Sequence, residues 1–165
     1  MRRFLVAFVM LLSVSGCQRE TERLVEVSGH LFVFNYRVAS ATYLVTLQKT
    51  GAIPDGATAI AEFQDPAGGA PIVIREKIFP AWDKIVLQSP NIRCVREGRP
   101  YSVTVRIVGA DGAALQELST QLVSDVDQSV LPEKPLVVGP GYDQNPEVFK
   151  PDGSIDYGTP APCPE

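Results

Sequence analysis

The chain has 165 residues, 45% of them hydrophobic and 21% charged, with a net charge of −4. That apolar content excludes a disordered chain and fits one globular domain long enough to close a core. A pI near 5.1 argues against a nucleic-acid partner, which calls for a basic stripe. The single His excludes a histidine-rich metal site.

Met1-Arg2-Arg3 gives a positive start, and Phe4 to Leu12 is an unbroken apolar run. The run is shorter than the roughly 20 residues a membrane-spanning helix needs. It has the layout of a secretory signal: a charged region, a short apolar stretch, then small residues. Those small residues lead directly into Cys17. Val14-Ser15-Gly16-Cys17 resembles the bacterial lipobox, in which the Cys is diacylated, the signal is removed and the new amino terminus is acylated. The resemblance implies a signal peptide over residues 1–16 and a lipid on Cys17. Gln18 at the next position implies sorting to the outer membrane. The alternative is an ordinary signal peptide whose cleavage site neighbours a Cys. Removing residues 1–16 takes two arginines with it, leaving thirteen basic against nineteen acidic side chains. Residues 17–23 then read as a short polar tether.

From Leu24 onward the apolar residues alternate, and no helical period lasts three turns. Strands are predicted over Leu24–Val38 with a bulge at Gly29, then Thr42–Gln48, Ala57–Gln64, Ile72–Phe79 and Ile85–Leu87. Pro54-Asp55-Gly56 and Asp65-Pro66-Ala67-Gly68-Gly69 supply turns between them. The clearest strand is Tyr101 to Ile107, with Tyr101, Val103, Val105 and Ile107 on one face. An Asp111-Gly112 turn returns the chain along Ala114–Val123, with Leu118 and Leu122 facing the core. Leu136-Val137-Val138 would add a final edge strand. Seven or eight short strands with Gly/Pro turns predict an all-β fold: a single antiparallel, immunoglobulin-like β-sandwich over residues 24–131.

Composition shifts near Leu131, and eight of the 14 prolines fall beyond it. Residues 132–165 therefore read as a Pro-rich extended tail. Its Tyr142, Val148, Phe149, Ile155 and Tyr157 predict that part of it packs on the sandwich; the alternative is a partner-binding segment that orders on contact. With Cys17 assigned to lipid, Cys94 and Cys163 remain. In an oxidising compartment they are a disulfide candidate; the alternative is two free thiols.

Chemistry-bearing motifs are sparse. His30 shares strand parity with Phe32, Phe34 and Tyr36 and reads as a packed or rim residue rather than a base. Asp152, Ser154 and Asp156 space oxygen ligands as a calcium loop does. However, Tyr157 stands where such a loop wants its Gly, and a Pro-Asp-Gly turn accounts for the same residues. Trp82, after Phe79-Pro80, reads as a core plug, with an exposed docking residue as the alternative. Asp111, Asp125 and Asp127 read as turn and strand-end residues. No cofactor is expected, and an enzyme is the weakest class.

A second resemblance runs from Val25 to Pro140. It is carried by Val27-Ser28-Gly29, Ile53-Pro54-Asp55-Gly56-Ala57, Phe79 with Ile85 and Leu87, Arg99-Pro100-Tyr101-Ser102-Val103, Asp111-Gly112 and Leu136-Val137-Val138. This pattern is similar to the small β-sandwich lipoproteins grouped with type III secretion lipoprotein chaperones, the pilotins. Arg37–Thr50 and the longer tail with Cys163 depart from that family's simpler pattern. The resemblance implies a lipid-anchored sandwich that assists a partner outer-membrane protein, and it supplies no catalytic residues. The expected protein is a periplasm-facing outer-membrane lipoprotein acting as an accessory or chaperone-like binder of another envelope protein. The alternatives are a structural envelope lipoprotein without a specific client, or a small-ligand or ion-binding module using the tail.

Overall fold

A computed structural model describes residues 23–164. The signal segment 1–16, Cys17 and all of the 17–23 tether except Arg23 lie outside the described residues. Seven strands form the body: β1 (Val25–Asn35), β2 (Ser40–Lys49), β3 (Thr58–Phe63), β4 (Ile72–Lys77), β5 (Lys84–Gln88), β6 (Pro100–Val108) and β7 (Ala114–Val123). They pair antiparallel in two sheets, ordered β1-β2-β5 and β4-β3-β6-β7. The expected antiparallel sandwich is the observed fold. Its fourth strand pairs with β3, whereas a constant-type immunoglobulin domain places that strand beside the fifth.

Period-two alternation builds the core. Tyr43, Val45 and Leu47 of β2, with Ile85 and Leu87 of β5, face Ala59, Ala61 and Phe63 of β3 and Tyr101, Val103, Val105 and Ile107 of β6. Small Ala side chains on β3 leave room for an aromatic cluster. Tyr43 stacks on Phe63 with ring centroids 5.0 Å apart, and Phe32 meets Tyr101 edge-on at 5.7 Å. The Tyr43 hydroxyl donates to the Gln64 carbonyl at 2.7 Å, which satisfies it inside the core. Burial holds that phenol far above its usual range.

Local geometry refines several expectations. The register of β1 shifts between Val27 and Gly29, the expected bulge. β1 ends at Asn35 because its side-chain carbonyl accepts the Arg37 and Val38 amides and turns the chain. Leu118 and Leu122 of β7 face the core as expected. One expectation is overturned: Val137–Val138 (β8) does not extend the sandwich as an edge strand. It pairs instead with Asp143–Gln144 (β9) in a separate two-stranded ribbon. Gly139 and Tyr142 take positive φ in the connecting turn.

The strands place the loops at two poles. The start of β1, the 50–57 and 109–113 turns and the 78–83 loop share one pole. The 36–39 and 64–71 turns, the 89–99 segment and everything after β7 share the other. At the first pole, Gln116 of β7 accepts the Leu24 and Val25 amides at 2.7 and 3.0 Å and donates to the Val25 carbonyl at 2.7 Å. Thr50 and Gly51 donate to the Leu24 carbonyl. A Cβ at Gly51 would stand 2.9 Å from the Arg23 carbonyl oxygen, so only Gly permits this close approach.

The tail is ordered on the second pole rather than merely extended. Leu136 donates to the Arg37 carbonyl at 2.8 Å, and Asn145, itself buried, donates to the Pro135 carbonyl at 2.7 Å. Val148 is fully buried. Arg37 lies over the Tyr142 ring at 5.4 Å. Among the described residues no helix is long and apolar enough to cross a membrane.

Candidate functional site

The second pole contains a cleft of about 290 Å³ between the 91–96 segment, residues 127–133 and the tail at 160–163. Three devices shape it. Tyr101 opens β6, and its hydroxyl accepts the Arg96 amide at 2.9 Å and donates to the Cys94 carbonyl at 3.3 Å. This is a tyrosine corner, the brace by which a sandwich strand fixes the crossover before it. Gln128 is the second brace. Its side chain accepts from Val95 N at 3.0 Å and donates to the Ile92 carbonyl at 3.1 Å, while its own amide donates to the Val95 carbonyl. It thus satisfies backbone groups that no strand partner reaches.

The third device is covalent. Cys94 and Cys163 are joined in a disulfide with their Cα atoms 5.5 Å apart. The bonded pair is the expected one, and the free-thiol alternative falls. Cys94 sits at a φ of +68°, a left-handed conformation that non-Gly residues adopt only where surrounding structure enforces it. The corner and the Gln128 clamp supply that enforcement, and the bond makes the tail one wall of the cleft.

Ile92 and Leu131 provide apolar floor, while Arg93, Arg96, Asp127 and Glu133 stand at the rim. Each charge has a structural partner. Arg93 pairs with Glu133 at 2.8 Å, and Arg96 donates to the Pro164 carbonyl at 3.3 Å. Asp127 caps a short 3-10 turn over Gln128–Val130 by accepting the Ser129 amide at 3.0 Å. The Ser129 hydrogen bonds hold its carboxyl below the usual range. The arrangement suits apolar side chains flanked by polar groups of a partner. Its volume lies just below the range of ordinary small-molecule pockets.

The other sequence candidates lie elsewhere. His30 is exposed on the flank where β1 meets β7, with Nδ1 3.4 Å from Thr120 Oγ1, and does not line the cleft. Asp152 accepts both the amide and the hydroxyl of Ser154, at 2.9 and 2.7 Å. Asp156 pairs with Lys134 at 2.6 Å and accepts the Gly158 amide at 2.9 Å. Asp152, Ser154 and Asp156 therefore serve two turns and an ion pair. Among the described residues no group of three His, Cys, Asp or Glu side chains is placed to hold a metal. Asp111 accepts the Ala113 amide and acts as the expected turn residue.

Trp82 is a correction. It is 44% exposed and packs on the equally exposed Phe79, centroids 4.6 Å apart, at the first pole. The 78–83 loop has no strand parity to direct the ring inward, and the inter-sheet space at that end is already filled by Ile78 and Ile85.

Comparison with known proteins gives no family. No family model matches the chain, and no curated protein matches it. Among solved structures, similarity is found to a Bacteroides uniformis beta-glucuronidase, at 9% identity and a TM-score of 0.40, covering 61% of this chain and 12% of that one. A beta-glucuronidase from glycoside hydrolase family 2 shows 16% identity and a TM-score of 0.39, covering 60% of this chain and 11% of that one. OgpA from Akkermansia muciniphila shows 11% identity and a TM-score of 0.37, covering 62% and 28%. The chain thus spans a small fraction of each of these proteins.

Proposed function

We propose that this chain is a lipid-anchored binding protein of the bacterial envelope. It is held at the outer membrane through Cys17 and engages another envelope protein with the cleft at its second pole. The observation that carries this reading is the polarity of the sandwich. The chain enters β1 at one end, pinned there by Gln116, and the disulfide-braced cleft lies at the other. β1 alone is 11 residues long, which at about 3.3 Å per residue separates the poles by roughly 36 Å. An anchor at the first pole therefore presents the cleft to the aqueous side of the bilayer.

The chemistry of the lining supports binding rather than catalysis. Arg93, Glu133, Asp127 and Arg96 are committed to structural partners, and the accessible floor is apolar. Such a site holds side chains of a partner and uses its rim for orientation.

A photo-crosslinking residue placed at Asn91 or Ser129, on the cleft, tests this in intact envelopes. The control position is Ser119, exposed on the outer face of β7. One dominant protein adduct from both cleft positions and none from Ser119 is expected. No adduct from the cleft, or the same set from all three positions, would contradict the reading.

A further inference from the structure

The first pole carries an aromatic and basic cluster with no part in the cleft. Phe79 and Trp82 pack against each other, ring planes tilted, in the 78–83 loop, 40% and 44% exposed. The loop is a closed turn, with Trp82 N donating to the Phe79 carbonyl at 3.1 Å, so both rings are held outward together. Three lysines surround them. Lys77 Nζ lies 5.3 Å from the Phe79 centroid, Lys49 Nζ donates to the Pro80 carbonyl at 2.8 Å, and Lys84 shares a surface groove with Trp82. Asp83 lies within the loop and Glu76 in the same groove, and the pole also carries Glu26, opposite Gln48 on β1, and Asp55 and Asp111 in the neighbouring turns.

This cluster stands beside the point where the chain enters the domain. Lys49 and Gln48 at the end of β2 donate to the Asp83 carbonyl, while the next residues, Thr50 and Gly51, donate to the Leu24 carbonyl. With β1 and β5 on either side of β2, neighbouring strands about 4.8 Å apart place the entry point and the loop roughly 10 Å from each other. Cys17 is six residues before Arg23. Even fully extended, that stretch reaches at most about 21 Å.

We propose that Phe79 and Trp82 insert into the headgroup region of the bilayer that holds the Cys17 lipid, with Lys49, Lys77 and Lys84 facing anionic headgroups. This rests on the lipid-anchored reading above. A Trp ring is suited to that zone because its body is apolar and its N–H finds a polar partner. Lysines can lay their stems on the rings and keep the ammonium groups at the phosphates. The short tether brings the pole to the surface, and the loop then fixes the domain's orientation, which an acyl anchor alone leaves free.

The chain has one Trp, so intrinsic fluorescence reports on this loop alone. The mature lipoprotein would be reconstituted in phosphatidylethanolamine–phosphatidylglycerol vesicles. Trp82 emission would then be read with iodide in the water and with lipids brominated near the headgroup. Membrane fractionation and labelled-palmitate incorporation of the wild type and Cys17→Ala are run in parallel. The expected result is a blue shift, loss of iodide quenching and strong quenching by brominated lipid. Phe79→Asp should restore iodide quenching while the protein stays in the membrane fraction. Wild type that stays in the membrane fraction with Trp82 open to iodide and unquenched by brominated lipid overturns the insertion and leaves the anchor standing. Trp82 shielded from iodide but unquenched by brominated lipid assigns the loop to a protein contact and also overturns it. If labelled palmitate is not incorporated into wild type, or is incorporated equally into Cys17→Ala, the anchored reading fails and the insertion fails with it.

Discussion

Opening the Cys94–Cys163 bond should weaken the domain mainly through its unfolded state. The bond closes a loop with a sequence separation of 69. In the chain-entropy model a loop of that length removes about 15 cal/mol/K from the unfolded chain, or about 4 kcal/mol at 25 °C. The native state loses little in return, because most of the tail has other holds. Leu136 donates to the Arg37 carbonyl, Val148 is buried, and Lys134 pairs with Asp156. Only the last residues near Cys163 would be released. For a domain of this size, about 4 kcal/mol corresponds to a fall in Tm of roughly 10–15 °C. Guanidinium unfolding of Cys163→Ser, Cys94→Ser and the double variant measures it directly. All three should lose the same amount, because all remove one bond, and the m-value should rise as the unfolded chain expands. A loss below about 1 kcal/mol would refute the loop-entropy reasoning. A double variant losing the sum of the two single losses would refute it too.

Tyr101→Phe should cost about 1–3 kcal/mol, since it strands the buried Cys94 carbonyl and the Arg96 amide without replacing the hydroxyl. Denaturant unfolding checks this, and a loss indistinguishable from zero would remove the tyrosine corner as a brace. Asp152 and Asp156 are held below the usual carboxylate range, Asp152 by the Ser154 hydroxyl and amide and Asp156 by Lys134. Because their folded values lie below the unfolded ones, their contribution is present above about pH 4 and is lost as pH falls through the folded values. The Ser154 and Gly158 amide resonances should therefore move upfield together on acidification, and unchanged resonances through that range would contradict the turn assignment.

The sandwich was legible because its strands obey a period of two and its turns use residues with distinct backbone physics. Tyr101 to Ile107 and the Asp111-Gly112 turn are the clearest cases, and both stand as read. The cysteine pair was legible because the compartment implied by the N-terminal segment left only two thiols to join. The cleft was not legible, because it is assembled from three segments far apart in the chain. Gln128 braces Val95 from 33 residues away, and a polar side chain that serves distant backbone leaves no local pattern. The tyrosine corner had a faint signal, a Tyr opening a strand just after a Gly-Arg-Pro turn. Trp82 was misplaced because ring size suggests burial, while a four- to six-residue loop has no parity to say which way the ring points. The Leu136–Val138 stretch misled for a related reason. Its partner strand, Asp143–Gln144, is two polar residues long and exists only because the intervening turn accepts positive φ.

In the proposed function the two poles have different neighbours, membrane at one and a partner protein at the cleft of the other. Neutron reflectometry of the lipidated protein on a supported bilayer measures the thickness of the protein layer directly. An upright domain standing on the Phe79–Trp82 pole should give a layer of about 36 Å or more, the length of the longest strand. A layer of roughly 20–25 Å, the thickness of two packed sheets with their side chains lying flat on the lipid, would contradict the account.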